Sequence, residues 1–381
     1  MIRSLWSMFL LSICFSSCSS IDFNNDIEKL SKADNSEKIV LAEELMSKYP
    51  TSPIIEDSVV HIVYHGHKSE MSVAGDFNNW NPENGKMTNI SGTNFWYLTD
   101  TFDMAAQLQY KLVSSSQDWF LDPRNPLQSS SDVDNSVIEM PQYIRETETT
   151  KVESVPAGVL AEYKIHSKSL GEERSFKVYF PASYNTLADD IPFVLVHDGY
   201  AYLEYAHMHI VLDNLIHQGI IPPIAAVFLP PVHRKAEYAD SRQNNFKVFI
   251  LEELYPWLTN NHNISDERGS AGVFGSSYGG TISLALAAEA PHIFGKVGAF
   301  SAFVSDDILG GFSQAELLPL EIYLNHGSYD HLVPIHESLQ KFRNVLDSKQ
   351  YSYRYEEYPE AHHYEFWRAH LDDALIYLFA K

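Results

Sequence analysis

The chain contains little cysteine. Its 381 residues include only Cys14 and Cys18, and both lie close to the N terminus. A thiol confined to one end of a sequence cannot cross-link distant parts of a fold. We therefore expect no internal disulfide and no cysteine-ligated metal site in the mature protein.

Positive charge is also scarce. The sequence has 27 Lys and Arg residues against 50 Asp and Glu residues, which gives a formal net charge of −23 at pH 7. Nucleic acids and anionic membrane surfaces are bound through a basic face. The composition therefore argues against both as partners. It is compatible with a neutral or bulky organic substrate, although solubility alone explains an acidic surface equally well.

The apolar run at the N terminus is too short to span a membrane. Arg3 precedes the apolar residues 5–15, and this order is typical of a secretory signal peptide. The following residues, "FSSC", resemble a bacterial lipoprotein signal, in which Cys18 would be lipidated and would begin the mature chain. We expect a secreted protein held by lipid to a bacterial outer membrane, facing the periplasm or the cell surface. Ordinary secretion with cleavage nearby is the alternative.

The residue composition and the spacing of apolar residues change several times along the chain. After the signal peptide (1–18), residues 19–57 are polar with a helical rhythm, which predicts a tether and short helices. Residues 58–140 contain short runs rich in β-branched and aromatic residues, which predict a small immunoglobulin-like β sandwich. A polar linker (141–157) follows. Residues 158–381 alternate apolar strands with helices, which predicts a mostly parallel sheet with helices on both faces, as in an α/β hydrolase.

The stretch "GVFGSSYGGTISLALAAEAP" (272–291) places a serine at the junction of a predicted strand and a predicted helix. Gly275, Ser277 and Gly279 form the pattern G-x-S-x-G. In a nucleophile elbow the turn is so tight that neighbouring side chains would clash, so glycines flank an exposed serine. A glycine-rich turn without catalysis is the alternative.

A serine hydroxyl needs a base that removes its proton and a carboxylate that orients the base. In α/β hydrolases these partners follow the serine in the order acid, then histidine. Asp330 follows the strand "EIYLNHG", and His362 follows the strand "YSYRYEEYP". We therefore predict a triad of Ser277, His362 and Asp330 that forms an acyl-enzyme and requires no metal and no cofactor.

Other residues could replace two members of this triad. His363 is the alternative base, and Asp306 or Asp307, after an earlier strand, is the alternative acid. His326 and His331 flank the loop of the predicted acid, but they precede the position that a base occupies.

The oxyanion of an acyl-transfer intermediate needs two backbone N–H donors. The residue after the nucleophile, Tyr278, would supply one of them. The second would come from "LVHDGYAYL", where Gly199 lets the backbone approach closely and Tyr200 N–H is the predicted donor. The alternative is that Asp198 and Gly199 simply form a turn.

Several motifs in order resemble those of the esterase-D-type α/β hydrolases, which include enterochelin esterases and the feruloyl and acetylxylan esterases of carbohydrate esterase family one. The similar stretches are "HDG" before a helix, "HRKAEY" (233–238), "FKVFILEELYPWL" (246–258), "GSSYGG", and the patterns G-x-x-D and H-x-x-x-x-W-R that begin at Gly327 and His362. The resemblance covers roughly residues 155–381. It implies serine ester hydrolysis and a substrate pocket shaped by Arg234, Glu237, Tyr238 and Trp367, with packing as the alternative role. Relatives usually carry glycine before the catalytic histidine, where this chain has Ala361.

The β-rich segment resembles glycogen-binding-type modules related to early-set sandwiches. The similar stretches are "VAGDFNNWNP" (73–82), "LQYKLV" (108–113) and "WFLDPRNP" (119–126). The resemblance implies that Trp80, Trp119 and Lys111 grip a glycan, because tryptophan faces stack on the apolar faces of sugar rings. Core packing, or packing against the hydrolase segment, is the alternative.

These observations together predict a serine carboxylesterase that acts on acyl or feruloyl esters of plant polysaccharides. One alternative keeps the chemistry and changes the substrate to an enterochelin-type siderophore trilactone. Another is a glycan-binding lipoprotein whose hydrolase segment is inactive.

Overall fold

The computed structural model describes residues 22–131 and 133–380. The predicted signal peptide and the lipidation site Cys18 lie outside the described residues. Within these two ranges, the helices are too short or too polar to cross a membrane.

Two N-terminal helices pack onto the β region. They are α1 (Phe23–Lys32) and α2 (Asn35–Lys48), and each begins after an aspartate whose side chain accepts backbone N–H groups of the first turn. Phe23 is fully buried and stacks on the His61 ring at a centroid distance of 4.4 Å. The segment predicted to contain a tether is therefore packed onto the β region from Phe23 onward.

The β region consists of two antiparallel sheets in the described chain. One has the strand order β1-β2-β5-β4, and in the other β3, β7 and β8 all pair with β6. A core of apolar side chains, including Val73 and Leu108, lies within this region. Assignment to the immunoglobulin-like class stays a prediction. The strands are β1 (Ile54–Glu56), β2 (Val59–His65), β3 (Ser72–Gly75), β4 (Thr88–Asn89), β5 (Phe95–Thr101), β6 (Gln107–Ser115), β7 (Asp118–Phe120) and β8 (Ser136–Glu139).

The C-terminal half of the described chain contains one eight-stranded sheet with the order β16-β15-β14-β13-β11-β12-β10-β9. The pairs β9–β10 and β10–β12 are antiparallel, and the other neighbours are parallel. The mostly parallel α/β-hydrolase-like sheet is thus confirmed. Its strands are β9 (Val159–Ser167), β10 (Glu172–Phe180), β11 (Phe193–His197), β12 (Ala225–Leu229), β13 (Ala271–Ser276), β14 (Phe294–Phe300), β15 (Glu321–Gly327) and β16 (Ser352–Tyr358).

Helices bury both faces of this sheet. Strand residues alternate between two apolar clusters, so that Leu195 faces one layer of helices and Val196 faces the other. A π-helical turn (Phe249–Leu254) joins α6 to α7. The helices are α3 (Gly199–Glu204), α4 (Met208–His217), α5 (Arg234–Ala239), α6 (Gln243–Val248), α7 (Tyr255–Asn261), α8 (Tyr278–Glu289), α9 (Asp306–Gln314), α10 (Val333–Lys349), α11 (Tyr364–Ala369) and α12 (Leu371–Phe379).

The apolar pattern of residues 202–219, and that of residues 365–380, predicts a single helix in each segment, but the structure breaks each of them at a histidine. His207 adopts a left-handed conformation (φ 49°) between α3 and α4. His370 separates α11 from α12, and its Nε2 lies 2.7 Å from Glu360 Oε1. Histidine has no strong preference against helix, so the pattern of apolar residues hides both breaks.

The buried contacts of His370 predict a pH-dependent contribution to stability. Burial lowers the pKa of His370, but the Asp373 carboxylate, 3.7 Å from Nδ1, and the hydrogen bond to Glu360 outweigh it and raise the pKa to about 9. A pKa raised on folding contributes stability that is complete below the unfolded value and is lost as the pH rises through about 9. We expect His370→Gln to lower the free energy of unfolding by roughly 3 kcal/mol more near pH 6 than near pH 10, as urea titrations would measure. A pH-independent difference would contradict this account.

Candidate active site

Ser277 lies in a strained turn between β13 and α8. Its backbone has φ 55° and ψ −125°, a conformation that side-chain-bearing residues rarely adopt, and its N–H donates to the Phe300 carbonyl at 2.8 Å. A Cβ at Gly275 would lie 2.6 Å from the backbone of Gly279. Strand and helix thus meet too closely for a side chain at this position, and the turn lifts Ser277 to the carboxyl edge of the parallel strands.

Asp330 and His362 come together from two later loops. Asp330 follows β15 and His362 follows β16, and His362 Nδ1 lies 2.7 Å from Asp330 Oδ2. The Asp330 side chain is fully buried, and its Oδ1 accepts the Leu332 N–H at 2.9 Å. Burial alone would raise the pKa of Asp330, but the hydrogen bond and charge of His362 hold it below its usual value. Asp330 is therefore a carboxylate that fixes one nitrogen of the imidazole.

Ser277 and His362 line the same cavity, which has a volume of about 820 Å³. No hydrogen bond joins the Ser277 hydroxyl to the His362 ring in the described chain. Such contacts are often long in enzymes without substrate and tighten only in the complex. The arrangement brings a serine, an imidazole and a buried carboxylate to one place in the predicted order.

The alternative base and acids occupy other positions. His363 Nδ1 accepts the Phe366 N–H at 3.1 Å and so caps α11, and burial lowers the pKa of His363 to about 4. Asp306 and Asp307 are exposed at the start of α9 and do not line the cavity. His363 also lines the cavity, but its Nδ1 is committed to the helix, and its Nε2 lies 3.8 Å from Asp76 Oδ2.

The cavity has walls from both halves of the chain. The β region contributes Trp80, Lys111 and Trp119, while the hydrolase half contributes Arg234 and Trp367. The side chains predicted to grip a glycan therefore face the same space as Ser277. The sequence could not indicate this, because the two halves are joined by a linker whose path it does not specify.

Asp76 supports the β-region wall. Its Oδ1 accepts Trp80 Nε1 at 2.9 Å, and its Oδ2 accepts the Gln109 N–H at 2.6 Å. Burial raises the pKa of Asp76 to about 7, although both hydrogen bonds oppose this rise. Asp76 was not among the residues predicted from the sequence, and its position in "GDFNNW" before a tryptophan was the available signal.

Arg234 lies beside the serine turn in a fixed position. Its Nε and one terminal nitrogen bind the two carboxylate oxygens of Asp198, both at 2.8 Å. The guanidinium also lies over the rings of Tyr238 and Tyr278, at 5.9 and 5.7 Å from their centroids. Because the pair is bidentate, Arg234 presents a positioned and largely neutralised cation to the cavity.

Two predicted pocket residues are structural, which corrects the sequence analysis. Glu237 is fully buried and binds Arg174 through both carboxylate oxygens, at 2.8 and 3.1 Å. Tyr238 is fully buried, and its hydroxyl accepts the Asp198 N–H at 2.9 Å. In "RKAEY" only the arginine reaches the cavity, because α5 turns the other two side chains toward the core.

The oxyanion assignment stays a prediction. Tyr278 begins α8 directly after the serine, as the assignment requires. The close approach at Gly199 is to β12, since a Cβ there would lie 2.3 Å from the Leu229 nitrogen. The Tyr200 ring packs on Lys177 Nζ at 5.1 Å and does not line the cavity. Only a backbone role therefore remains open to Tyr200.

Polar contacts attach the β region to the hydrolase half. Glu365 accepts the Ser130 N–H at 2.7 Å and Gln109 Nε2 at 3.0 Å. Arg368 binds Glu146 at 2.8 Å and the Ser130 hydroxyl at 2.8 Å. Glu365 is nearly fully buried, so its two contacts are interior ones, and they join the β region to α11 beside the cavity.

Comparisons with known proteins place the hydrolase half in a family. Residues 167–378 match the family Esterase, described as "Putative esterase". Two Bacillus subtilis (strain 168) proteins are similar. Uncharacterized protein YjcH is 24% identical over 232 residues, which are 57% of this chain and 96% of that protein. Uncharacterized protein YbbA is 29% identical over 158 residues, which are 38% and 60% of the two chains.

Solved structures share the fold over different lengths. The ferric enterobactin esterase of Salmonella typhimurium superimposes with a TM-score of 0.73 at 18% identity, over 88% of this chain and 98% of that one. A CE1 ferulic acid esterase from Anaeromyces mucronatus, in complex with ferulic acid, superimposes with a TM-score of 0.53 at 18% identity, over 62% and 96%. The first likeness extends beyond the hydrolase half.

Proposed function

This chain belongs to the esterase family, and from that premise we propose that it is a serine carboxylesterase in which Ser277 is the nucleophile. One observation carries the proposal: Ser277, in a strained turn, shares a cavity with His362, whose Nδ1 is held by the buried carboxylate of Asp330. A strained turn costs stability and persists where the surrounding structure enforces it, which is typical of a functional site.

The proposed reaction has two halves. Ser277 Oγ attacks the ester carbonyl carbon while His362 Nε2 takes its proton, and backbone N–H groups, including that of Tyr278, stabilise the oxyanion. The imidazolium then protonates the leaving alkoxide, and the acyl-enzyme remains. Water, deprotonated by His362, attacks the acyl carbon, the bond between that carbon and Ser277 Oγ breaks, and the imidazolium returns its proton to Oγ as the acid leaves. Asp330 stabilises the imidazolium in both halves of the reaction, because the contact between its Oδ2 and His362 Nδ1 orients the ring.

We propose an aromatic acyl ester of a carbohydrate as the substrate class. The cavity is large and rich in aromatic side chains, which suits a planar acyl group. Trp119 and Trp80 could stack on sugar rings beside the scissile ester, and Lys111 could donate to hydroxyls. In this arrangement the β region is a wall of the active site and not a separate binding module.

A siderophore trilactone is the second candidate, because the likeness to the enterobactin esterase spans both halves of the chain. Charge weighs against it. A ferric siderophore is anionic and would require several free cations. Among the described lining residues, Lys111 has no ion-pair partner, but Arg234 is neutralised by Asp198, and Asp76 adds negative charge when ionised.

A panel of three substrates distinguishes these proposals. Methyl ferulate, acetylated xylan and a catechol trilactone are each offered to the purified protein, with product release measured by chromatography. We expect methyl ferulate to be hydrolysed fastest. If only the trilactone is cleaved, the siderophore trilactone becomes the proposed substrate in place of the aromatic acyl ester. If no ester is cleaved and a serine-directed phosphonate fails to label Ser277, the protein is not a serine esterase.

Trp119→Ala tests the β-region wall. Trp119 is 38% exposed, so its truncation should leave the fold intact. We expect kcat/KM for a feruloylated oligosaccharide to fall about tenfold, because one stacking contact is worth on the order of 1 kcal/mol. Turnover of a small acetyl ester should be unchanged. The control is Ile144→Ala, at an exposed residue that does not line the cavity. An equal loss on both substrates would mean that Trp119 does not contact the sugar.

A further inference from the structure

His326 is a buried histidine whose ring nitrogens have no hydrogen-bond partner in the described chain. It is 2% exposed and lies in β15, one residue before the strand ends. Its Nε2 is 3.6 Å from Asp330 Oδ2, which is beyond hydrogen-bond distance. A buried polar group without a partner is costly, so we expect the His326 ring to find a partner among the side chains around it.

Two further ligand side chains converge on His326 from neighbouring elements. His336 lies in α10, and Glu357 lies in β16. One ligand atom from each of the three residues lies within 4.8 Å of the other two. Tetrahedral zinc, with ligands at about 2.0–2.2 Å, separates neighbouring ligand atoms by about 3.4 Å. Because His336 is half-buried and Glu357 is exposed, small rotations of these two side chains would close the remaining distance.

We propose that His326, His336 and Glu357 form a binding site for a divalent transition-metal ion, with zinc as the preferred ion. Two imidazoles and one carboxylate match the donors that zinc takes, and solvent would complete the coordination at the exposed side. His336 Nε2 now contacts Gln340 Nε2 at 2.9 Å, and Glu357 accepts the Tyr355 hydroxyl at 3.1 Å. Both contacts are on or near the surface and can be exchanged for a metal ligand.

The proposed metal site is adjacent to the proposed catalytic acid, since His326 Nε2 lies 3.6 Å from Asp330 Oδ2. With His326 Nε2 turned toward Asp330, Nδ1 is the nitrogen available to the ion. Metal-ligating histidines usually donate their other N–H to a carboxylate, and shortening the 3.6 Å separation from Asp330 Oδ2 would give His326 that contact. The ion would link β15, α10 and β16 around the loop that carries Asp330. None of the three ligands lines the cavity of Ser277, so the ion positions this loop and does not touch the substrate.

Zinc titration of the untagged full chain tests the site. Protein freed of metal by chelation is titrated with zinc chloride in a calorimeter. We expect one zinc ion to bind per chain, and saturating zinc to raise the melting temperature, since a ligand that binds only the folded state stabilises it. His336→Gln and Glu357→Gln should each weaken zinc binding at least about tenfold, because each removes a direct ligand. These two variants avoid the folding risk of changing buried His326.

The control variant is His292→Gln, at an exposed histidine outside the cluster, and its zinc affinity should equal that of the parent. The titration is repeated in Ser277→Ala, so that failure of the esterase proposal would not affect the result. Substitution with Co²⁺ should give the visible absorption of a site with nitrogen and oxygen ligands. The proposal is overturned if the parent binds no zinc, or if His336→Gln and Glu357→Gln bind it as tightly as the parent.

Discussion

Replacement of Ser277 by alanine is expected to lower kcat for ester hydrolysis by a factor on the order of 10⁶. The hydroxyl is the proposed nucleophile, and without it His362 and Asp330 have nothing to activate. Alanine also has a Cβ, so the strain at φ 55° is neither relieved nor increased. The free energy of unfolding should therefore stay within about 0.5 kcal/mol of the parent. Stopped assays with methyl ferulate and urea titrations measure the two quantities.

The adjacent Ser276 provides the matched control. It ends β13, is fully buried, and does not line the cavity. Ser276→Ala should keep turnover within a few-fold of the parent. Near-normal hydrolysis by Ser277→Ala would remove the nucleophile assignment. Loss of activity in both variants, with a lowered melting temperature, would indicate a damaged strand and not a missing nucleophile.

The sequence predicted the parts of the site that depend on local geometry. The glycines around Ser277 indicate a tight turn, because such a turn leaves no room for side chains. The order of Ser277, Asp330 and His362 can be interpreted because parallel strands bring the loops after them to one edge. Each inference needs only neighbouring residues and the direction of the strands.

Contacts between distant segments could not be predicted in this way. Trp80 and Trp119 were expected on a sugar-binding face, but nothing local indicated that this face would cover the cavity of Ser277. Glu237 was assigned to the pocket because it belongs to the motif "HRKAEY" (233–238), which carries the family resemblance. On the short helix α5 the side chains of Arg234 and Glu237 point in different directions, and Glu237 pairs with Arg174, which is 63 positions away. Such pairings depend on packing between elements.

The two helix predictions were wrong at His207 and His370, where contacts with distant residues outweigh the local preference for helix. The apolar pattern continues through His207 and His370, and both residues can be helical. At His370 the ring is held by Glu360 and stacks on Tyr358 at a centroid distance of 3.5 Å. These partners lie outside the helical segment, so its own sequence carried no sign of the break. The same dependence on distant partners hid the cluster around His326.

Asp330→Asn is expected to lower kcat by about 10⁴ with little change in KM. Asparagine fits the same space, but its neutral amide cannot stabilise the imidazolium that forms at His362. It can also present an N–H to Nδ1, which would favour the wrong tautomer of the ring. Rates measured with methyl ferulate above and below KM separate the two parameters.

Asp307→Asn is the control, because Asp307 is an exposed aspartate in the first turn of α9 and is, with Asp306, one of the two alternative acids. It should retain parental kcat, whereas a large loss there and none at Asp330 would exchange the two assignments.

The pH dependence of stability distinguishes a catalytic defect of Asp330→Asn from a folding defect. The pKa of Asp330 is depressed in the folded state, so its carboxylate stabilises the fold above the unfolded pKa, and this contribution is lost as the pH falls through the folded value. Asp330→Asn should therefore be less stable than the parent at neutral pH and approach it in acid, while its kcat stays low wherever it is folded.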